Sequence, residues 1–285
     1  MVELKDLGTP VENTWCPGCG NFGILMTFKN ALVELGLERE EVAIVAGIGC
    51  HGKITDYINV NALHTIHGRV LPTATGVKLA NHGLTVIGFA GDGDAYNIGI
   101  GHLPHAARRN VDITYVVHDN LVYGLTTGQT SPTSKRGYVS KTTPRGSFEP
   151  GINPLTLALA SDASFVARGF AGEPHHLREL FKQAISHEGF ALVDVLQPCV
   201  TWNRVNTYQF YRERVYKLEE EGHDPASFDE AYMRAREWGD RIPIGVFYKE
   251  ERPAYRSNFP ALEKGPLARQ SPKKVYFKEL LKEFK

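Results

Sequence analysis

The sequence lacks several features that would assign it to a simple class. None of its apolar stretches approaches the roughly 20 residues that span a membrane. Its 32 basic residues are balanced by 32 acidic ones, which argues against an electrostatic nucleic-acid binder. It has neither a fixed-period repeat nor a low-complexity tract. A hydrophobic fraction of 42% over 285 residues predicts a globular protein with ample core.

Cysteine is also scarce, and all four cysteines stand where ligands would be expected. Cys16 and Cys19 form a C-x-x-C motif around Pro17-Gly18, and its glycines let backbone amides turn toward an anionic centre. Cys50 and Cys199 each follow an apolar, strand-like run. Two loop cysteines and one at each of two strand ends predict a four-thiolate site.

Three alternative roles for the cysteines are open at this point. The absence of an apolar signal peptide predicts a reducing, cytoplasmic location, which argues against disulfides. Structural zinc also takes four thiolates, but it usually uses two C-x-x-C pairs and the sequence has one. Either Cys50 or Cys199, taken singly, is typical of an unrelated buried thiol. Because cluster ligands are often spread along a chain, an iron–sulfur cluster is slightly favoured over zinc.

Apolar strands alternate with helical patterns along the first 200 residues. The predicted strands lie at about 42–47, 85–90, 113–117, 164–168 and 190–196. The predicted helices lie at about 24–35, 98–109, 153–162 and 174–187. This alternation predicts an α/β fold with a doubly wound, mostly parallel sheet over residues 1–200, followed by a C-terminal extension over 201–285. Residues 124–151 are too long for a simple connector and predict a functional loop.

Ligands of such sheets bind beyond the carboxyl ends of the strands, and four of these ends carry polar or metal-binding residues. They are Cys50, Gly91-Asp92-Gly93, Asn120 and Cys199. Asp92 and Asn120 offer the oxygen ligands that Mg²⁺ prefers, and the glycines beside Asp92 would let a diphosphate approach the backbone. No G-x-G-x-x-G follows the first strand and no Walker lysine motif is present, so neither nucleotide-binding fingerprint is predicted.

These motifs together resemble the β subunit of 2-oxoacid:ferredoxin oxidoreductases, of the 2-oxoglutarate type, over roughly residues 13–260. Gly91-Asp92-Gly93 with Asp119-Asn120 is similar to the thiamine diphosphate motif, with Asp119 where many members carry a first asparagine. The other matching segments are Cys16-Pro17-Gly18-Cys19-Gly20, Gly47-Ile48-Gly49-Cys50, His67-Gly68-Arg69, Tyr123-Gly124-Leu125-Thr126, Gly128-Gln129-Thr130-Ser131-Pro132-Thr133, Gly222-His223-Asp224-Pro225 and Ile242-Pro243-Ile244-Gly245-Val246-Phe247. The resemblance favours a four-iron four-sulfur (4Fe-4S) cluster over zinc.

The resemblance implies a role for each matched residue. The cluster ligands would be Cys16, Cys19, Cys50 and Cys199. The Mg²⁺ ligands would be Asp92, Asn120 and the carbonyl of Val122. The residues around thiamine diphosphate would be Ile48, Gly49, Cys50, His51, His67, Gly93, Asp94, Gly124 and Leu125. Lys53, expected near the substrate carboxylate, and His67 would be catalytic; their alternatives are a solvated lysine and an ordinary loop histidine.

The family's reaction is the oxidative decarboxylation of a 2-oxoacid to an acyl-coenzyme A, with electrons passed to ferredoxin. The resemblance implies that this chain is inactive alone. A partner α (or fused γα) subunit would supply the glutamate that activates thiamine diphosphate and most of the coenzyme A site, in a dimer of heterodimers. The extension 201–285 would contact partner subunits.

The expected substrate is 2-oxoglutarate, with pyruvate or a broad range of 2-oxoacids as the alternative. Thr127 stands where several broad-specificity relatives carry lysine, which leaves the preference open. Two other classes of protein remain as alternatives: a non-redox thiamine decarboxylase, and a zinc-stabilised phosphate-binding α/β protein.

Overall fold

A large, mostly parallel sheet organises the protein, whose computed structural model describes residues 2–271 and 277–284. In these residues the strands are β1 (Val42–Ala46), β2 (Asn61–His64), β3 (Thr85–Gly91), β4 (Ile113–Asp119), β5 (Val122–Tyr123), β6 (Gln129–Thr130), β7 (Phe165–Phe170), β8 (Phe190–Leu196), β9 (Val215–Lys217) and β10 (Ile242–Lys249). Eight of them form one sheet in the order β2-β1-β3-β4-β8-β7-β10-β9, and β5 pairs with β6 in a separate ribbon. Within the main sheet only the β7–β10 pair is antiparallel, which confirms the predicted α/β fold.

Helices cover both faces of the sheet. The α-helices of the described ranges are α1 (Gly20–Glu34), α2 (Ile54–Tyr57), α3 (Val70–Ala80), α4 (Leu103–Arg108), α5 (Pro154–Leu159), α6 (Pro174–Ser186), α7 (Tyr208–Arg212), α8 (Phe228–Ala235) and α9 (Phe277–Leu280). Phe89 of β3 packs in the core beneath α1 and α6, whereas Ala90 packs in the core beneath α3, α4, α5 and α8. Consecutive residues are therefore buried on opposite faces, which is why the central strands are apolar without a break.

Within residues 2–271 and 277–284, no helix combines the length and the apolar character that crossing a membrane requires.

The predicted helix over 98–109 is wrong in its first half. The chain there forms a π-helical stretch, Asp94–Ile98, and a 3₁₀ turn, Ile100–His102, before α4 begins. Pro104 lies in the first turn of α4, where its missing N–H costs no helical hydrogen bond. Its ring, however, disfavours α-helical geometry in the residues that precede it. Single π-helical turns often occur at functional sites, and this one begins at Asp94.

Two elements that lie beside the site were missed because their sequences carry weak signals. The edge strand β2 is exposed at all four positions, so it has no apolar pattern to detect. Helix α3 contains Pro72 and Gly76, residues that normally lower the expectation of a helix. The proline is tolerated because it stands in the first turn.

Strand β10, from the predicted extension, lies in the main sheet. It pairs antiparallel with β7, and Phe247 on this strand is fully buried in the core shared with α5 and α8. The predicted domain boundary at residue 200 therefore separates strands that belong to one sheet. The division of the chain into two domains at this residue stays a prediction. Residue 1 and residues 272–276 and 285, which the predicted domain ranges include, lie outside the described residues.

We expect Phe247→Ala to lower the free energy of unfolding of the main cooperative transition by about 3–5 kcal/mol, because it empties a fully buried site. Phe148→Ala, at a side chain that is 81% exposed, is the matched control and should change stability by about 0.5 kcal/mol or less. Urea unfolding followed by circular dichroism measures both. Equal effects of the two substitutions would mean that β10 is not part of the cooperative core.

Candidate active site

The carboxyl ends of β1, β3, β4 and β8 meet at one edge of the sheet. The strands are parallel, and their register pairs Gly91 with His118 and Asp119 with Leu196. Hydrogen bonds continue past the strand ends, since the amide of Gly47 donates to the carbonyl of Phe89 at 3.0 Å. The loops that follow these strands therefore converge, as their positions in the sequence predicted.

A cavity of about 200 Å³, here called the strand-end cavity, opens at this edge. Its lining contains every residue predicted around the cofactor and every predicted Mg²⁺ ligand. The lining residues are Ile48, Gly49, Cys50, His51, His67, Gly91, Asp92, Gly93, Asp94, His118, Asn120, Val122, Tyr123, Gly124, Leu125 and Thr126. The structure thus brings the predicted residues together, while their individual roles stay predictions.

Two buried carboxylates lie side by side next to this cavity. Thr133 Oγ1 is 2.7 Å from Asp92 Oδ2 and 2.8 Å from Asp119 Oδ1, and Ser131 Oγ donates to Asp92 Oδ2 at 2.5 Å. Burial, and then the charge of Asp119, raise the pKa of Asp92 to about 8. A hydroxyl has a single proton, so Thr133 satisfies only one of the two carboxylates at a time. A bound cation would offset the remaining negative charge.

The oxygen atoms available for a cation come from three kinds of group. Asp92, Asn120 and Val122 all line the strand-end cavity, and the amide of Val122 donates to Asn120 Oδ1 at 3.1 Å. Among the described residues, no group of three or more His, Cys, Asp or Glu side chains is placed to hold a metal ion. A cation here would therefore depend on the Asp92 carboxylate together with amide and carbonyl oxygens and oxygens of a bound ligand, which is the environment that suits Mg²⁺.

Asp94 organises three loops around the cavity. Its Oδ1 lies 2.6 Å from His67 Nδ1 and accepts hydrogen bonds from the backbone amides of Gly68 at 2.7 Å and Ile48 at 3.3 Å. Its other oxygen is 3.8 Å from His51 Nε2, a buried nitrogen with no hydrogen-bond partner. Burial lowers the pKa of His51 well below its usual value, so this imidazole is neutral.

All four cysteines line a second cavity of about 190 Å³, here called the cysteine cavity. None of them is in a disulfide. The lining residues are Thr14, Trp15, Cys16, Cys19, Asn21, Cys50, Lys53, Asn120, Gly124, Leu125, Thr127, Gln197, Cys199, Val200, Thr201 and Trp202. The loop cysteines and the strand-end cysteines, which are far apart in sequence, thus line one cavity, while their role as a four-thiolate site stays a prediction.

The thiols influence one another electrostatically. Burial, followed by the negative charges of Cys199, Cys50 and Cys16, raises the pKa of Cys19 to about 12. Burial and then Cys199 raise the pKa of Cys50 as well. Four thiolates in this space would repel one another, and a bound metal centre would remove that cost because its positive charge compensates them.

The two cavities share a wall. Cys50, Asn120, Gly124 and Leu125 line both of them. A methyl group placed on Gly124 would lie 3.6 Å from the Sγ atoms of both Cys50 and Cys199, so the backbone of Gly124 at this wall lies directly against two of the thiols. A group in the strand-end cavity and a group in the cysteine cavity would therefore be close neighbours.

Lys53 and Thr127 lie on the cysteine cavity and not on the strand-end cavity. Lys53 Nζ donates to Thr14 Oγ1 at 2.9 Å. Thr127 adopts a φ of 77°, which is unusual for a β-branched residue, and occurs here in a tight turn closed by the Gly128 amide on the Tyr123 carbonyl. The predicted roles of Lys53 in substrate binding and of Thr127 in specificity stay predictions.

Several residues that support the site had no role predicted from the sequence. Ser131 and Thr133 donate hydrogen bonds to the buried carboxylate of Asp92. Both lie in a segment that resembles the family, but the sequence gave neither of them a role. Trp15 donates from Nε1 to the carbonyl of Cys50 at 2.6 Å and so fixes the loop that follows β1. Gln197, beside Pro198-Cys199, contacts Cys19. Ser131 and Thr133 were signalled only by their place in a matched motif, and Trp15 and Gln197 carried no such signal, since contacts across the fold are invisible in the sequence.

Two family descriptions match this chain. Residues 47–195 match "Thiamine pyrophosphate enzyme, C-terminal TPP binding domain". Residues 199–264 match the C-terminal region described for the "Pyruvate ferredoxin oxidoreductase beta subunit". The first match contains the strand-end residues from Ile48 to Thr133 described above, and the second contains Cys199 and β10.

Similar proteins carry related names. The 2-oxoacid:ferredoxin oxidoreductase subunit beta of Saccharolobus solfataricus is 50% identical over 257 residues, which are 86% of this chain and 84% of that protein. The 2-oxoglutarate synthase subunit KorB of Archaeoglobus fulgidus is 41% identical, and the match covers 83% of this chain and 84% of that protein.

A solved structure extends this similarity to three dimensions. The structure of a 2-oxoglutarate:ferredoxin oxidoreductase from Magnetococcus marinus, with 2-oxoglutarate, coenzyme A and succinyl-CoA bound, superposes with a TM-score of 0.89 at 40% identity. The match covers 99% of this chain and 96% of that one. The chain therefore belongs to the β subunits of the 2-oxoacid:ferredoxin oxidoreductase family.

Proposed function

We propose that this chain binds Mg²⁺–thiamine diphosphate in the strand-end cavity and a 4Fe-4S cluster in the cysteine cavity. With its partner subunit it would oxidise 2-oxoglutarate to succinyl-CoA and CO₂ and pass the electrons to ferredoxin. The observation that carries this proposal is the wall shared by the two cavities, because it would place an electron source next to an electron acceptor.

The strand-end cavity fits the diphosphate end of the cofactor. The oxygens of Asp92, Asn120 and Val122 would hold Mg²⁺ together with diphosphate oxygens. A dication would favour ionisation of the buried carboxyl groups of Asp92 and Asp119, because it would compensate the negative charge that burial otherwise disfavours. Gly91 and Gly93 keep side chains away from the backbone that a diphosphate would approach.

The cysteine cavity favours a cluster over a single zinc ion. Zinc holds its sulfur ligands at about 2.3 Å, so four thiols would have to crowd around one point. Four thiols around about 190 Å³ suit a centre of several atoms instead.

The chain's own residues would orient these groups and handle protons near them. Thiamine diphosphate, when bound, supplies an electron sink for decarboxylation, and the cluster supplies a one-electron acceptor. Asp94 accepts from His67 Nδ1, which leaves Nε2 of this histidine free to hold or accept a proton at the cavity. The family resemblance places Lys53 near the substrate carboxylate, to which it would offer a positive charge; in this structure Lys53 lines the cysteine cavity and donates to Thr14.

The names of the relatives support 2-oxoglutarate as the substrate. KorB of Archaeoglobus fulgidus is named for 2-oxoglutarate, and the solved relative from Magnetococcus marinus holds it. Pyruvate is the second candidate, because the family description that matches residues 199–264 names pyruvate. Rates on the two acids, measured with the reconstituted complex, decide between them.

The proposed assembly is a dimer of heterodimers with an α (or fused γα) subunit, located in the cytoplasm. The partner would supply the activating glutamate and most of the coenzyme A site. Large apolar side chains near the strand-end cavity support a partner surface, since Ile66 is 70% exposed and Leu125 is 48% exposed. We assign the extension after residue 200 to contacts with partner subunits.

We expect Asp92→Asn to weaken thiamine diphosphate binding in the presence of Mg²⁺ by about 100-fold or more, because it removes the charged ligand of the cation. Isothermal titration of the complex with thiamine diphosphate measures the affinity, and cluster absorbance should stay unchanged. Asp162→Asn, at a turn away from the site, is the control. An unchanged affinity in Asp92→Asn would refute the Mg²⁺ assignment.

Lys53→Ala should lower kcat/KM for 2-oxoglutarate by about 10–100-fold, as expected for the loss of a charge-assisted hydrogen bond. Cofactor affinity should remain near that of the parent. Steady-state kinetics of the complex measure the effect, and Lys264→Ala, at an exposed lysine, is the matched control. If the kinetic constants of Lys53→Ala equal those of the control, Lys53 is an ordinary surface lysine.

Cys199→Ser should cost iron and the brown, oxygen-sensitive absorbance of the anaerobically purified complex, because oxygen is a harder donor than the thiolate that clusters prefer. Thr201→Ser changes another residue of the same cavity without touching a sulfur and should retain the iron. Iron and sulfide analysis measures both. Four irons per chain in Cys199→Ser would exclude Cys199 as a ligand, and a colourless, zinc-containing parent would refute the cluster.

A further inference from the structure

Gln197 is a buried amide between the two proposed cofactor sites. It follows β8 directly, is 1% exposed, and lines the cysteine cavity. Its backbone amide donates to the carbonyl of Asp119 at 2.9 Å, which fastens it to the end of β4. Sequence motifs gave no role to this residue.

The side chain of Gln197 links Asn120 to Cys19. Its Oε1 accepts a hydrogen bond from Asn120 Nδ2 at 2.8 Å. Its Nε2 donates to Cys19 Sγ at 3.4 Å and to the carbonyl of Pro198 at 2.8 Å. The amide therefore uses both of its N–H groups, one of them on a sulfur atom.

Backbone groups at the two ends fix the direction of this chain of hydrogen bonds. The amide of Val122 donates to Asn120 Oδ1, so the Nδ2 group of Asn120 must face Gln197. The carbonyl of Pro198 only accepts, so the Nε2 group of Gln197 must face Pro198 and Cys19. Rotating either side-chain amide by half a turn would oppose two acceptors or two donors.

We propose that Gln197 is a positioning residue that couples occupancy of the Mg²⁺–diphosphate site to the reduction potential of the cluster, through the path Asn120–Gln197–Cys19. This inference rests on the proposed function, since it requires a cation at Asn120 and a cluster at Cys19. It goes beyond that function because Gln197 would touch neither Mg²⁺ nor the cluster and would still control electron transfer to the cluster.

The expected direction follows from hydrogen-bond polarisation. A cation on Asn120 Oδ1 withdraws electron density from the amide, which makes its Nδ2–H a stronger donor to Gln197 Oε1. Gln197 is polarised in the same sense and donates more strongly to the sulfur of Cys19. A stronger N–H···S bond stabilises the reduced cluster, which carries more negative charge, and so raises its potential. Loading the cofactor would thereby make the cluster a better electron acceptor.

A purely structural role is the competing hypothesis. A methyl group on Gly20 would lie 2.9 Å from Gln197 Cγ, so the side chain packs tightly against the start of α1. In that case substitutions of Gln197 would reduce stability but would leave the dependence of the potential on the cofactor unchanged. The potential therefore separates the two hypotheses, whereas activity alone would not.

The experiment measures the reduction potential of the cluster in the anaerobic complex with its partner subunit, by redox titration followed by electron paramagnetic resonance. Each protein is titrated with and without Mg²⁺ and thiamine diphosphate. Gln197→Met removes all three side-chain hydrogen bonds without adding charge, and Gln197→Glu keeps the shape but removes the N–H donor. The matched control is Asn203→Asp, which also replaces a buried amide beside Asn120. Asn203 Nδ2 donates to the backbone carbonyl of Asn120 at 3.0 Å and to Asn206 Oδ1 at 3.2 Å. The link from Asn203 to Cys199 is made by its backbone amide, which the substitution leaves in place.

In the parent and in Asn203→Asp we expect binding of Mg²⁺ and thiamine diphosphate to raise the ratio of reduced to oxidised cluster, at a fixed applied potential, about tenfold. This change corresponds to a rise of about 59 mV in the one-electron reduction potential. In Gln197→Met and Gln197→Glu, this loading effect should fall by more than half. An effect of equal size in the parent and in an iron-containing Gln197 variant would overturn the proposal, and so would loss of iron from both folded variants. A parent without iron would instead overturn the proposed function and this inference with it.

Discussion

The parallel alignment of four adjacent strands is the constraint on which the rest of this structure depends. Because β1, β3, β4 and β8 run in the same direction and in register, the loops that follow them must leave the sheet at one edge. These loops carry Cys50, Asp92, Asn120 and Cys199, which are distant in sequence. The start of α1 adds Cys19 and the preceding loop adds Cys16, so one sheet edge assembles both cavities.

The cost of this arrangement is a concentration of buried polar groups that only partly satisfy one another. Asp92 and Asp119 share the hydroxyl of Thr133, and burial holds the thiol of Cys19 protonated by raising its pKa to about 12. The ionised forms of these carboxyl and thiol groups are unfavourable in an apolar core unless cations compensate them. A dication beside the carboxylates and a metal cluster among the thiols would offset this cost, and the protein's stability would then be linked to its cofactor binding.

Much of this arrangement was predictable because it has local signatures. The strands at 85–90 and 190–196 are continuous apolar runs, and each of the four candidate ligand segments directly follows such a run or forms a short motif. The exposed strand β2 and the broken helix after Asp94 were not predictable in the same way, because solvent exposure and π-helical geometry leave no clear pattern in the sequence. The hydroxyls of Ser131 and Thr133 stood in a matched motif, but their bonds to Asp92 depend on how the loop returns to the sheet.

Gln197 illustrates what sequence alone could not reveal about the relation between the two sites. A glutamine between a strand and a Pro-Cys pair has no distinctive chemistry by itself, and its significance lies in three side-chain hydrogen bonds, two of them to segments far away along the chain. Because its backbone amide is bound to Asp119, the side chain has little freedom to choose other partners. The same strand alignment that assembles the two cavities therefore also fixes a polar connection through the wall between them. A site built from separate loops without this shared edge would bring the same ligands together without linking them.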